Sequence, residues 1–224
     1  IVGLGLIAGL AAGTILAIYR TTGRQRLATP ADIRRQVGLP VVGQVPERSR
    51  FVSSKAREAA YFETASNILA LAGGSTTEFM AVPTSPDPLD SDSLTGLMQG
   101  FLDAGYPTVV LDTRQHLPTR DSGLTLKQTL PTSKPRSERV PPGIYSLTAP
   151  TASELVAILA SALDRLKADG YATVLVVDPG ASTVISAVDV PLILAVQARK
   201  TKLTDVLAVA SRIKVMGIRP LGVL

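Results

Sequence analysis

The sequence predicts an α/β fold, a doubly wound and mostly parallel sheet of P-loop-like layout preceded by one transmembrane helix. Three observations carry this expectation. The first 19 residues are uncharged and largely apolar. Further on, short and almost continuously apolar runs at 108–111, 172–177 and 192–197 alternate with segments of helical periodicity. Strands buried on both faces read this way, and they occur in parallel sheets covered by helices. Two of these runs lead into an Asp, Asp112 and Asp178, at the strand ends where such sheets bind ligands. With 224 residues and 46% hydrophobic content, the chain supports a sizeable core and is not wholly disordered. The absence of Cys excludes disulfides, thiolate zinc sites and a Cys nucleophile. A single His, His116, argues against a histidine metal centre or a catalytic triad. No internal repeat is evident.

Residues 1–19 form the expected membrane span. At 1.5 Å per residue the helix is about 28 Å long, close to the hydrocarbon thickness of ~30 Å. Tyr19 suits the interface, and Arg20, Arg24 and Arg26 follow it, which orients the C-terminal side toward the cytoplasm. A signal peptide would carry charge before its apolar run, and none is present. The chain starts without Met, so it is expected to begin partway through a longer protein. Gly5, Gly9, Gly13 and Ala17 recur every fourth residue, a smooth stripe suited to close packing against another helix in lipid. That stripe predicts self-association or a companion helix.

The net charge of +5 is localised. Residues 20–50 carry seven Arg against Asp32 and Glu47, 7 − 2 = +5, and the rest of the chain balances 16 basic with 16 acidic residues. A nucleic-acid protein would place its excess on the folded domain, so no nucleic-acid partner is expected. Arg20, Arg24, Arg26, Arg34 and Arg35 fix membrane topology. They also suit anionic lipid headgroups, at roughly 1 kcal/mol each near the surface.

Residues 20–50 read as a basic juxtamembrane linker and 51–224 as the folded domain. Within the linker, Thr29 caps a short helix with Pro30 at its first position, ending near Gly38. Residues 38–46 are too Pro-punctuated for a helix and suit an extended strand lying against a domain. A helix follows over 54–72, with Ala59, Phe62, Ile68, Leu69 and Leu71 toward one face and Gly73-Gly74 as its stop. Then come a strand at 78–83, a helix at 92–104 and the strand at 108–111. Residues 113–142, rich in Thr, Ser, Pro, Lys and Arg, form a surface loop with a short helix near 124–130. A strand at 144–147 precedes a helix at 153–168, capped by Ser153, whose stripe is Leu155, Ile158, Leu159, Ala162, Leu163 and Leu166. The strands at 172–177 and 192–197, a helix at 202–216 and a strand at 221–224 complete the chain.

The strand-end loop at 83–94 stands where a phosphate loop would be. A phosphate cradle needs glycines, so that backbone N–H groups converge, and a Lys for the β- and γ-phosphates. This loop has neither, and carries Asp87, Asp90 and Asp92 instead. Asp90 and Asp92 are explained as helix-start residues. His116 and the 127–139 loop are read as solvated surface.

These residues resemble the cytoplasmic part of bacterial polysaccharide co-polymerases, the chain-length determinants of the Wzz/Wzc type, and their fused tyrosine kinases. The resemblance rests on order and spacing along nearly the whole chain. The family's Leu-Gly-Leu-Pro-Val-Leu-Gly-x-Ile-Pro element is similar to Val37-Gly38-Leu39-Pro40-Val41-Val42-Gly43-Gln44-Val45-Pro46. Ala65-Ser66-Asn67-Ile68 resembles the end of its following helix, and Thr84-Ser85-Pro86-Asp87-Pro88 its approach to the phosphate loop. Further matches are Ala152-Ser153-Glu154-Leu155-Val156, Ala172-Thr173-Val174-Leu175-Val176-Val177-Asp178 and Gly222-Val223-Leu224. The departures fall on the active site. Where the family has Gly-Glu-Gly-Lys-Ser-Thr, this chain has Leu89-Asp90-Ser91-Asp92-Ser93-Leu94, keeping only Ser93. The family's Asp-x-Asp-x-Arg becomes Asp112-Thr113-Arg114-Gln115-His116, so Arg114 replaces a metal-side carboxylate. Two helix Arg of the kinases correspond to Phe62 and Ala65, and no Tyr-rich tail is present.

The resemblance therefore implies a degenerate nucleotide site at Ser93, Asp112 and Asp178, no catalytic or metal residues and no cofactor, with ATP–Mg binding lost. It implies a non-catalytic co-polymerase in the bacterial inner membrane, its folded domain cytoplasmic. Such a protein forms a homo-oligomeric ring and works with polysaccharide polymerase and export machinery. Three other readings remain open: an active tyrosine autokinase or ATPase, a MinD/ParA-like positioning module, and a regulatory subunit of a partner kinase or glycosyltransferase.

Overall fold

A computed structural model describes residues 29–46, 52–73, 77–85, 89–114, 140–197 and 200–224. The elements in chain order are α1 (Pro30–Val37), α2 (Ser54–Leu71), β1 (Glu78–Pro83), α3 (Ser91–Asp103), β2 (Thr108–Asp112), β3 (Gly143–Ser146), α4 (Ala152–Ala168), β4 (Ala172–Val176), α5 (Ser182–Ala187), β5 (Leu192–Ala195), α6 (Leu203–Val215) and β6 (Gly222–Val223). The six strands form one sheet in the order β3-β2-β4-β1-β5-β6, and every pairing is parallel. Helices cover both faces, as the double-sided burial of β1, β2, β4 and β5 requires.

Alternate strand residues feed two separate cores. Met80, Val82, Val109, Leu111, Leu175 and Leu194 face Ile33, Leu159, Leu163, Val184, Val206 and Ile213 from α1, α4, α5 and α6. Phe79, Ala81, Val110, Val174 and Ile193 face Tyr61, Ala65 and Ile68 of α2 and Leu94, Leu97 and Phe101 of α3. On this second face, Phe79 stacks on Phe101 with ring centroids 5.7 Å apart. α3 approaches α2 so closely that a Cβ on Gly100 would lie 2.5 Å from the Tyr61 carbonyl oxygen. Only Gly permits that separation.

α1 starts as predicted, on Thr29. The Thr29 hydroxyl accepts from the Asp32 N–H at 3.2 Å, and the Asp32 carboxylate accepts from the Thr29 N–H at 3.0 Å. Residues 38–46 lie extended against the sheet edge, again as predicted. The Val42 N–H donates to Val223 at 2.9 Å and the Val223 N–H donates to Pro40 at 2.8 Å, so this segment lies alongside β6. Asn67 of α2 donates to the Val42 carbonyl at 3.0 Å and holds the segment from the other side. The contact is tight: a Cβ on Gly222 would lie 2.6 Å from the Pro40 carbonyl oxygen.

Four expectations change. α4 is capped by Thr151, whose hydroxyl accepts from the Glu154 N–H at 3.2 Å, and Ser153 already lies inside the helix. α2 turns Tyr61, Thr64, Ala65 and Ile68 inward, Ile68 as expected, and leaves Phe62 and Leu71 exposed, because the helical row that meets the sheet and α3 runs through 61, 64, 65 and 68. α5 has no counterpart in the periodicity reading, since six residues span less than two turns. The apolar runs extend slightly past the last strands: β5 ends at Ala195 and β6 covers Gly222–Val223. Among the described residues no helix is long and apolar enough to cross a membrane. The expected span at 1–19, its stripe Gly5, Gly9, Gly13 and Ala17, the basic Arg20, Arg24 and Arg26, and the loop helix near 124–130 lie outside the described residues.

Candidate functional site

The carboxyl ends of β1, β2 and β4 converge at one edge of the sheet, the ligand-binding edge of parallel α/β folds. Each chain segment leaving that edge is fastened by its own hydrogen bonds. After β1, the Thr84 N–H and hydroxyl both donate to the Ala195 carbonyl, at 2.9 and 2.8 Å. After β2, the Thr113 N–H and hydroxyl both donate to Val176, at 3.0 and 2.9 Å. Thr201, buried beyond β5, accepts from the Gln197 N–H at 3.0 Å and donates to the Ser85 hydroxyl at 3.3 Å. Thr84 and Thr113 appear in the motifs above without this fastening role, since a hydroxyl that bonds a carbonyl on a neighbouring strand leaves no local sequence signal.

The start of α3 is the natural place for an anion, since its first N–H groups lack intrahelical partners and carry the positive end of the dipole. Here the chain supplies the anion itself. The Asp90 carboxylate accepts from the Ser93 N–H at 2.8 Å, and Asp92 adds a second negative charge in the first turn. Ser93 thus sits in the first turn with its backbone N–H engaged by the N-cap.

Asp112 is the most buried acid at this edge, 2% exposed. Its carboxylate is gripped by Arg114. The Arg114 guanidinium donates from Nε to Oδ1 at 3.0 Å and from Nη2 to Oδ2 at 2.8 Å, while the Arg114 backbone N–H donates to Oδ1 at 2.9 Å. Nη2 also donates to the Leu89 carbonyl at 2.8 Å, and so reaches the loop before α3. One guanidinium therefore ties the end of β2 to the candidate phosphate loop and neutralises the carboxylate there. Two parallel N–H donors on one carboxylate is the strong, directional form of this interaction. Arg114, which stands in the sequence where a metal-side carboxylate is expected, is instead the partner of Asp112. The available signal was the Asp112-Thr113-Arg114 spacing, in which an Asp accepts from the backbone two residues on.

Asp178 stands apart from this cluster. It is exposed, and its Oδ1 accepts from the Gly180 N–H at 2.6 Å, shaping the turn into α5. Ser93, Asp112 and Asp178 thus lie at the same edge, each in a local structural bond. Of the juxtamembrane set, Arg34 and Arg35 fall on the outer side of α1 and are exposed. Among the described residues, no group of three or more His, Asp or Glu could hold a metal ion.

No protein-family model and no curated protein matches the chain. Solved structures do. The BceF tyrosine kinase domain matches at a TM-score of 0.71 and 15% identity, over 89% of this chain and 98% of that one. The kinase domain of the Escherichia coli tyrosine kinase ETK gives 0.65 and 13% identity, over 88% and 93%. The chimerical protein CapA2B2 gives 0.62 and 18% identity, over 87% and 97%. The chain has the fold of bacterial tyrosine kinase domains.

Proposed function

We propose that the chain is a membrane-anchored, non-catalytic scaffold of cell-surface polysaccharide assembly, a co-polymerase whose kinase-like domain has given up its nucleotide site. The observation that carries this reading is the Arg114 guanidinium bonded to both Asp112 and the Leu89 carbonyl. A kinase-like fold needs an open carboxylate for Mg²⁺ and free N–H groups for phosphate, with a Lys to meet the developing charge. Here Asp112 is paired with a fixed cation, and Asp90 occupies the helix start. Phosphate oxygens brought to that helix start would meet Asp90 and Asp92 at close range. The residues do not fit ATP–Mg. Each missing donor of this kind lowers rate by about 10²–10³, and the loop lacks the Lys and both glycines. The fold shared with tyrosine kinase domains supports descent from a catalyst, with self-assembly into a ring and polysaccharide machinery as the expected partners.

The test is titration of the purified chain with ATP–Mg to millimolar concentration in a calorimeter. No saturable heat is expected. Saturable binding, or phosphotyrosine that forms with ATP and vanishes in Asp112→Asn, would return the chain to the active autokinases.

A further inference from the structure

We propose that the edge formed by α1 and α6 docks flat on an anionic membrane surface, with Arg34, Arg35 and Lys214 supplying charge and Leu207 and Val215 entering the headgroup region. This rests on the membrane-anchored reading above and adds a second, reversible contact between the folded domain and the bilayer.

The outer face of α6 is unusual for a surface helix. Val206 and Ile213 point into the core, and at 100° per residue the opposite side carries Thr204, Ala208, Ser211 and Val215, with Leu207 on the flank beside them. Leu207 is 41% and Val215 86% exposed. Lys214 and Arg212 flank them, both exposed. α1 packs against this helix through Ile33 and turns Arg34 and Arg35 outward. Apolar side chains bordered by Lys and Arg are the composition of an interfacial membrane contact.

Charge selects the occupant. α1 and α6 each carry a net +1, α2 and α4 are neutral, α3 carries −2 and α5 has no charge. The acids on this edge are few: Asp32 serves the cap of α1, and Asp205 sits in the first turn of α6. A second copy docked two-fold on this face would bring Arg34, Arg35, Arg212 and Lys214 against their own kind, and a ring contact would pair the face with a different surface, whereas an anionic leaflet attracts all four. Tether length agrees. Nine residues separate Tyr19 from Thr29, at most about 36 Å of fully extended chain, so on the membrane-anchored reading α1 cannot stray far from the bilayer.

The chain has no Cys, so Val215→Cys creates a single attachment point for an environment-sensitive fluorophore. The full chain goes into nanodiscs of phosphatidylcholine alone or with one-third phosphatidylglycerol. A blue shift is expected in the anionic discs only, while a label at Glu63→Cys, on the other side of the sheet, keeps its emission. Adding Arg34→Glu, Arg35→Glu and Lys214→Glu should lower the docked-to-free ratio more than 100-fold, since each basic residue contributes about fivefold. Emission from position 215 that is equal in both disc types, with the chain still cofractionating with the discs, overturns the docking but leaves anchorage standing. A shift in neutral discs that grows with copies per disc makes the face a self-contact and also overturns it. Failure to cofractionate removes the anchor itself and the docking with it.

Discussion

Arg114 and Asp112 form a pair in which neither side chain is more than 11% exposed. A carboxylate out of water is tolerable only when it is paired and hydrogen-bonded, so the two residues act as a unit. Arg114→Ala should cost about 3 kcal/mol by stranding Asp112. Asp112→Asn combined with Arg114→Ala should cost clearly less than the sum of the two single changes, a coupling that urea unfolding of the four proteins measures. A second residue-scale prediction concerns Tyr145, whose hydroxyl donates to the Pro141 carbonyl at 2.7 Å. Burial raises its pKa above the ordinary 10.0, and the neighbouring Tyr171 adds to the rise. The folded state thus favours the neutral phenol. That stabilisation is complete below about pH 10 and drains away as pH climbs from there toward the raised folded value. Tyr145→Phe should lose about 1 kcal/mol at neutral pH and decline less steeply above pH 10, as urea midpoints at pH 8 and 10.5 would show. The sequence exposed the missing Lys and glycines of the site. It did not show what fills the vacated space, because a side chain folding back two residues leaves no mark in periodicity.

The packing of α2 on α3 depends on one small residue. Gly100→Ala gains up to about 1 kcal/mol of helix propensity, yet its Cβ would press on the Tyr61 carbonyl at 2.5 Å. Backbone cannot step aside as a flexible side chain does, so overpacking should win, with a net loss of about 1–3 kcal/mol by thermal or urea unfolding. Element positions were largely legible. β1 and α1 fall on their expected residues, because Pro30, Gly38 and Gly73 punctuate the chain and the strands are apolar throughout. The misses share a cause. Thr151 and Ser153 are both good caps, and the Thr151-x-x-Glu154 spacing favours the earlier one. On α2, apolar size misled: Phe62 looks like core and is 44% exposed, while small Ala65 is fully buried. Ile68 is buried as expected, but the inward row through Tyr61, Thr64 and Ala65 is set by the close approach of α3, which hydrophobicity alone does not reveal.

At the scale of the molecule, the parallel doubly wound class was legible, but the order β3-β2-β4-β1-β5-β6 was not. Strand adjacency follows from where each crossover helix lands, and that depends on side-chain packing far apart in sequence. The segment read as linker belongs to the packed body: Ile33 and Val42 are core residues, and residues 40–42 cover the open side of β6. Removing residues 1–43 strips both side chains from the core and bares that edge. A loss of about 3 kcal/mol or more is expected, together with self-association by light scattering, since an uncovered strand edge invites pairing with another chain. The clasp also sets a timetable. Val42 and Val223 meet across 181 residues, so the ribosome must deliver every strand of the sheet before residues 40–42 find their mate. Until then the nascent polypeptide waits with one flank of its sheet unsealed, and sealing that flank is a late step.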